Sequence, residues 1–292
     1  MENFRIGKLV VVGVGLIGGS LAASLKRKNI VDHVVGVGRG RANVERALSL
    51  GVIDEISKDL SSAAHGADIV LVAVPTGQAA SVIRQMRGAL KNGAVVTDAG
   101  STKRDFVALA RAELGDVLEN VVPGHPIAGA EKSGVEASMP DLFCGKRVVL
   151  TPMSETNSAS VDRVEAMWRS CGADVIRMSA DHHDSVFSAV SHLPHVLSYT
   201  LVEMIASRSD AQELFSFAAS GFRDFTRIAG SSPEMWRDIC TSNRDQLASD
   251  IESFQQALSQ LAGHIRDGDM DSIEAIFSAA VRARQGWIDS LK

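Results

Sequence analysis

At 292 residues, with 45% hydrophobic and 22% charged side chains, the chain has the make-up of an ordinary soluble globular protein with room for two full-sized cores. A formal charge of -5 argues against a general binder of nucleic acid or of an anionic membrane, and leaves open a local basic pocket for an acidic metabolite. No stretch approaches the ~20 apolar residues of a membrane span, no signal-peptide pattern precedes the first strand, and Cys144, Cys171 and Cys240 are too scattered for a disulfide framework. A cytoplasmic protein with reduced thiols and no metal centre is expected.

In chain order, Leu9 to Val12 is a short apolar, β-branched run with the make-up of a strand buried on both faces. It breaks at Gly13-Val14-Gly15-Leu16-Ile17-Gly18, and a helical segment, Leu16 to Lys28, follows at once. G-x-G-x-x-G between a strand and a helix is the context that gives the pattern its meaning. Gly13 allows the tight turn, Gly15 admits a pyrophosphate to the backbone, and Gly18 lets helix and strand pack closely. The N–H groups of the first turn, with Leu16 and Ile17 in it, then face the phosphates. A ligand-free glycine turn is the alternative; strand, helix and position together point to NAD or NADP. The second strand, His33 to Gly38, ends Val37-Gly38-Arg39-Gly40-Arg41. NAD-specific domains place an acid there for the ribose 2′-hydroxyl. Here it is missing, and Arg39, with Arg41, offers a partner for a 2′-phosphate. NADP is expected to serve at least as well as NAD.

A helix over 42–50 follows, then strands at Asp68–Val74, Ala94–Asp98, Asn120–Val122, Arg147–Leu150 and Asp174–Met178, with helices over 76–90, from Thr102 onward, and 161–170. Thr102 with Asp105 reads as a helix cap and a first-turn acid. This alternation predicts an α/β domain over residues 1–178, a Rossmann-like, doubly wound, mostly parallel sheet. Ligands of such sheets bind beyond the carboxyl ends of the strands. That places Val74-Pro75-Thr76, Asp98 to Lys103, and Gly124 to Lys132 around the ligand, with Val74, Pro75, Thr76 and Asp98 as cofactor contacts.

From Ser179 strand signals vanish, and four helices are expected over 181–208, 211–227, 233–265 and 270–291. On the third, Trp236, Ile239, Asn243, Leu247, Ile251, Phe254, Leu258 and Leu261 form one stripe. So long a stripe has too little of its own chain to cover it, so residues 179–292 are read as an all-helical domain that pairs two copies into a homodimer.

Several polar residues are placed for chemistry. His125 sits between Gly124 and Pro126 at a strand end, a poor place to bury an imidazole and a good one to present it as a base. A loop histidine bonded to backbone is the competing reading. Ser101 lies in the neighbouring loop, either a partner for the same hydroxyl or a turn serine. Ser191-His192-Leu193-Pro194-His195 puts a serine, two histidines and a helix-disturbing proline into one turn, with one histidine expected to be structural. Arg223 and Arg227 share a helix face. Arg223 is read as paired with Asp224, and either arginine could clamp a carboxylate.

The motifs GVGLIGGS (13–20), TDAGSTK (97–103), GHPIAGAEKSG (124–134), SHLPH (191–195) and DFTRIAGSSPEMW (224–236) together resemble the prephenate/arogenate dehydrogenases of tyrosine biosynthesis, over nearly the whole chain. The resemblance implies a Rossmann-like domain with a helical dimerisation domain. It also implies oxidative decarboxylation, with hydride leaving a ring carbinol for the nicotinamide as carbon dioxide departs. By the same match His125 is the catalytic histidine and Ser101 assists it, while Arg227 binds a substrate carboxylate and His195 and Ser191 lie near the substrate. A β-hydroxyacid dehydrogenase would carry a Gly-x-x-x-Lys-x-x-Asn segment that is absent here. A non-catalytic nicotinamide sensor would need the glycine loop but not His125, Ser101 and Arg227 together.

Overall fold

The computed structural model describes residues 4–130, 132 and 134–291. Contacts divide the chain into one compact unit up to Arg244 and another from Asp245.

In the first unit, β1 (Ile6–Val12), α1 (Leu16–Arg27), β2 (Val31–Val37), α2 (Arg41–Ser49), β3 (Glu55–Ser57), α3 (Leu60–Ala64), β4 (Ile69–Val72), α4 (Ala79–Met86), β5 (Val95–Asp98), α5 (Arg104–Glu113) and β6 (Val121–Val122) follow one another. The six strands form one parallel sheet in the order β3-β2-β1-β4-β5-β6. The period of two along β1 divides its side chains between two cores. Leu9 and Val11 join Leu21, Leu25 and Val44 on one face, and Val10 and Val12 join Ile83, Met86 and Phe106 on the other. Chain order reverses between β1 and β4, so the crevice at their carboxyl ends is the place for a ligand.

Two strands expected in this sheet lie elsewhere. β7 (Gly124–Pro126), β8 (Arg147–Leu150), α6 (Ser158–Ser170) and β9 (Asp174–Arg177) come next, and β7-β8-β9 form a separate three-stranded sheet. β7 runs antiparallel to β8, with His125 opposite Val149. The histidine thus sits on a strand rather than a free loop. The short β3 and α3 carry too few residues for a periodic signal, and the sequence reading passed over both.

The helical part is more broken than its periodicity implies. It comprises α7 (Ala180–Phe187), a π turn over Ser188–His192, α8 (Leu193–Ala206), α9 (Ala211–Ser216), α10 (Ser220–Thr226), a 3₁₀ turn over Arg227–Gly230, α11 (Pro233–Ser242), α12 (Arg244–Asp267) and α13 (Met270–Asp289). The π turn falls just ahead of Pro194, whose ring and missing N–H open the helical ladder of the turn before it. The single helix expected over 233–265 is two, because Asn243 leaves helical geometry (φ -110°, ψ 30°). Asn243 is wholly buried, but as a polar junction rather than a member of an apolar stripe. Among the described residues no helix is long and apolar enough to cross a membrane.

Candidate active site

The glycine loop has the geometry its spacing implies. Gly13 has φ +96°, and a Cβ there would strike the Ala73 carbonyl oxygen. Gly18 packs against the Gly13 carbonyl and Val11 with no room for a side chain, whereas nothing lies within 4 Å of a Cβ built on Gly15. Gly15 caps α1 without a side-chain hydrogen bond. The first-turn N–H groups are therefore offered beside open space, which fits a bound pyrophosphate. Asn43 braces the loop by donating to the Val14 carbonyl (2.6 Å) and accepting from the Val135 N–H (3.2 Å), and the Met139 N–H donates to Ser20 (2.9 Å). The segment after β7 is thereby fastened over α1 and α2. Glu131 and Ser133 of its motif lie outside the described residues.

At the far end of β2, Arg39 is exposed and makes no ion pair among the described residues, while Arg41 is engaged with Glu45 (2.6 Å). Val74 and Thr76 are half-buried and Pro75 exposed, just beyond β4. With Asp98 and Gly100, Val74 and Thr76 line a cavity of about 390 Å³ that reaches Asp238 and Ser242 of α11. Asp98 itself is committed within the chain. Its buried carboxylate pairs with the buried Lys103 ammonium and accepts from the N–H groups of Gly100 and Gly124 (2.9 Å each). Lys103 also donates to the Gly124 carbonyl (2.8 Å). Burial works against each charge, and this cage of donors offsets it by locking the Asp98–Lys103 loop to the foot of His125.

His125 is half-buried, with Nδ1 2.9 Å from Nε2 of the wholly buried His183, whose Nδ1 is 2.8 Å from the buried Asp184 carboxylate. Phe187 packs edge-on against His125. Burial, and then His183, Lys103 and His192, hold the His125 pKa well below the ordinary histidine value, so its imidazole is neutral at pH 7. Asp184 also accepts from the Lys103 and Arg104 N–H groups (2.8 and 2.9 Å). It thereby caps α5, the role expected of Thr102; Thr102 instead bonds Ser242 (2.9 Å), and the N-cap position is Lys103, whose side chain makes no cap. Asn243 completes the junction by donating to the Asp184 carbonyl (2.8 Å) and accepting from Arg104 (2.9 Å).

Opposite stands the helical wall. His195 Nδ1 donates to the Ser191 carbonyl (2.9 Å), which leaves Nε2 as an acceptor, and its ring stacks on Trp236 at 3.7 Å. Burial, together with the charge of Arg227, lowers its pKa. Arg227 is exposed at the start of the 3₁₀ turn. A neutral imidazole and a guanidinium thus act on each other along this helical segment.

A family model for the nucleotide-binding domain of prephenate dehydrogenase matches residues 21–177, and one for the dimerization domain of prephenate dehydrogenase matches residues 179–279. The chain belongs to the prephenate dehydrogenase family. It is 32% identical to prephenate dehydrogenase of Bacillus subtilis over 95% of this chain and 75% of that protein, and 32% identical to cyclohexadienyl dehydrogenase of Zymomonas mobilis over 94% of each. The crystal structure of prephenate dehydrogenase from A. aeolicus in complex with hydroxyphenyl propionate and NAD+ covers 96% of this chain and 98% of its own, at 35% identity and a TM-score of 0.87.

Within this family member the two histidines of SHLPH take different places. His192 is buried and faces Asn243 (3.2 Å), whereas His195 remains half-exposed beside Arg227. Ser101 is half-buried two residues before Lys103, and the Ser191 carbonyl orients His195. Among the described residues Arg223 makes no ion pair with Asp224; both are exposed, so solvent replaces the expected partner. Lys103 entered the sequence reading as the end of the Asp98–Lys103 loop and Asn243 as part of an apolar stripe, whereas His183 and Asp184 were missed. Their one visible signal was His182-His183-Asp184, three titratable residues together at a helix start.

Proposed function

We propose that the chain acts on prephenate, arogenate or both, with His125 as the proton acceptor and Arg227 as the carboxylate clamp. The reaction is the oxidative decarboxylation of tyrosine biosynthesis, giving 4-hydroxyphenylpyruvate from prephenate or tyrosine from arogenate. The observation that carries the residue assignment is the neutral, half-exposed His125 imidazole fastened to the cofactor loops through Gly124, Lys103 and Asp98. Gly13, Gly15, Leu16, Ile17, Gly18, Val74, Pro75 and Thr76 would hold the nicotinamide cofactor, which when bound supplies the hydride acceptor. Asp98 shapes that site from behind. Arg39 favours NADP as a co-substrate at least equal to NAD.

His125 Nε2 takes the ring hydroxyl proton as hydride leaves the same carbon and returns it as the ring becomes aromatic. Ser101 hydrogen-bonds the same hydroxyl. Arg227, with His195 and Ser191 beside it, binds a carboxylate and so aligns the ring. Aromatisation supplies much of the driving force, so orientation and one proton acceptor are most of what the protein must provide. Residues 1–178 serve as the cofactor domain. Residues 179–292 serve as the substrate and dimerisation domain, supported by family models that change over between 177 and 179. The exposed apolar face of α13 supports a homodimer, and three free cysteines support a cytoplasmic location.

Absorbance at 340 nm with prephenate, arogenate and a simple 3-hydroxy acid, each with NAD and NADP, tests the reading. Growth with either cyclohexadienyl acid alone supports it, and its relative rates fix substrate and cofactor choice. Silence with all three makes the chain a sensor.

A further inference from the structure

Two neutral imidazoles 2.9 Å apart must divide their protons, one ring donating and the other accepting. Asp184 decides which. An ionised carboxylate only accepts, so the His183 nitrogen facing it, Nδ1, carries the proton. Asp184 is held ionised against its burial by His183 and by the Arg104 and Lys103 amides, and its pKa lies below the ordinary aspartate value. His183 is left with a bare Nε2, which can only accept, so His125 donates to it from Nδ1. The remaining nitrogen of His125, Nε2, then carries a lone pair. Phe187 packs against both rings, at 4.8 Å from His125 and 4.5 Å from His183, and holds their planes.

We infer that His183 and Asp184 are positioning residues. They fix the His125 tautomer that leaves Nε2 bare, and they hold the imidazolium formed when His125 takes a proton. This rests on His125 being the base, as proposed above. Burial opposes a charge on His125, as would a charge on His183, Lys103 or His192, so the neutral His183 serves as a hydrogen-bond acceptor rather than a cation. Asp98 is committed to Lys103, and Arg104 to Asp184 and Asn243. Asp184, acting through its hydrogen bond to His183, favours the charge. A proton accepted at His125 Nε2 is matched by the hydrogen bond already in place at Nδ1, so no proton need leave the array during a turnover.

The test pairs two substitutions with a measurement on the native protein. His183→Phe keeps an aromatic ring against Phe187 but offers no acceptor. It should lower kcat about 10–100-fold, as loss of such a supporting partner does, with little change in KM, and should move the acid limb of the pH profile to lower pH. His183→Gln, whose amide can accept from His125 and donate to Asp184, should recover most of the rate. Nitrogen NMR of the imidazoles in the unsubstituted protein at neutral pH should show His125 protonated at Nδ1 and bare at Nε2. The opposite tautomer overturns the inference, even if His183→Phe fails to fold. So does a folded His183→Phe enzyme with normal kcat, or a Gln variant no better than Phe. His125→Asn separates the two layers. If it retains turnover the assignment of the base fails; if it is inert while His183→Phe is normal, only the positioning role fails.

Discussion

Around His125 the buried charged and polar groups are paired into a network, whereas α13 leaves its large apolar groups exposed. Asp98, Lys103, His183, Asp184 and Asn243 are all buried, and each is hydrogen-bonded to another of the set or to a neighbour in the fold. On α13, by contrast, no residue is buried; Phe277 is 53% exposed, Val281 68% and Trp287 59%. Met270, Ile273, Phe277 and Val281 form an open apolar groove on that helix. The polar cluster around His125 pairs its own groups. The second is a surface awaiting a partner of like character, and a second copy of the chain is the partner proposed for it. Changes in the first region should therefore act on chemistry, and changes in the second on assembly.

The largest expected effect is His125→Asn. Asparagine can still donate an amide N–H to the bare His183 Nε2, but it cannot take a proton. Turnover should fall by roughly 10²–10⁴-fold while cofactor still binds. Near-normal turnover would end the assignment. Arg227→Ala comes next. A guanidinium that grips a carboxylate in ground and transition states alike governs mainly KM. Losing about 2 kcal/mol of such contact raises KM about 30-fold. An unchanged KM would move the clamp, with the exposed Arg223 the next candidate. For the second region, sedimentation at micromolar concentration should give about twice the 31.0 kDa chain mass. Val281→Asp should return the chain mass by placing a charge on the apolar face. A native monomer would break the comparison outright.

Stability should also fall in acid, for a reason confined to the first region. His125, His183 and His195 all have pKa values lowered chiefly by burial. As pH drops through about 6.5, the unfolded chain takes up protons that these buried rings refuse, so stability is lost in the direction of acid. Asp184, lowered by its hydrogen bonds, adds to the same loss at lower pH. Thermal melting between pH 7.5 and 5, read against the His125→Asn variant, checks this. The variant should have the flatter curve.

The parallel sheet and the glycine loop were legible because they rest on local signals. A β-branched run, a glycine spacing and the alternation of strand with helix each lie within a few residues. His125 and Arg227 were singled out from placement and motif, and their roles are the ones proposed above. What remained hidden is what depends on distant pairing. Asp184 caps α5 across 80 positions of sequence, so the nearest hydroxyl, Thr102, stood in for it in the sequence reading. Asn243 falls on an apolar stripe by period alone, and only its three polar neighbours reveal a break in the helix. The separate sheet was hidden because β7 is three residues long and pairs with a strand more than 20 residues later.

The smallest expected effect concerns Arg39. Arg41 is bound to Glu45, and Arg46 to Glu136, both on or near α2, while Arg39 projects from the loop after β2 with no ion-pair partner among the described residues. No carboxylate stands at Gly38 to repel a 2′-phosphate, so a phosphorylated ribose finds one unengaged guanidinium and no opposing charge. The site is exposed, and exposed pairs contribute about 1 kcal/mol or less, which corresponds to about fivefold in affinity. Arg39→Ala should therefore raise the Michaelis constant for NADP by up to about fivefold and leave that for NAD nearly unchanged. The NADP effect should shrink with added salt, because an exposed pair is screened over the ~8 Å Debye length of physiological ionic strength. Equal changes for both cofactors, or a native enzyme that ignores NADP, would show that Arg39 is simply solvated and that the missing acid carries no selectivity of its own.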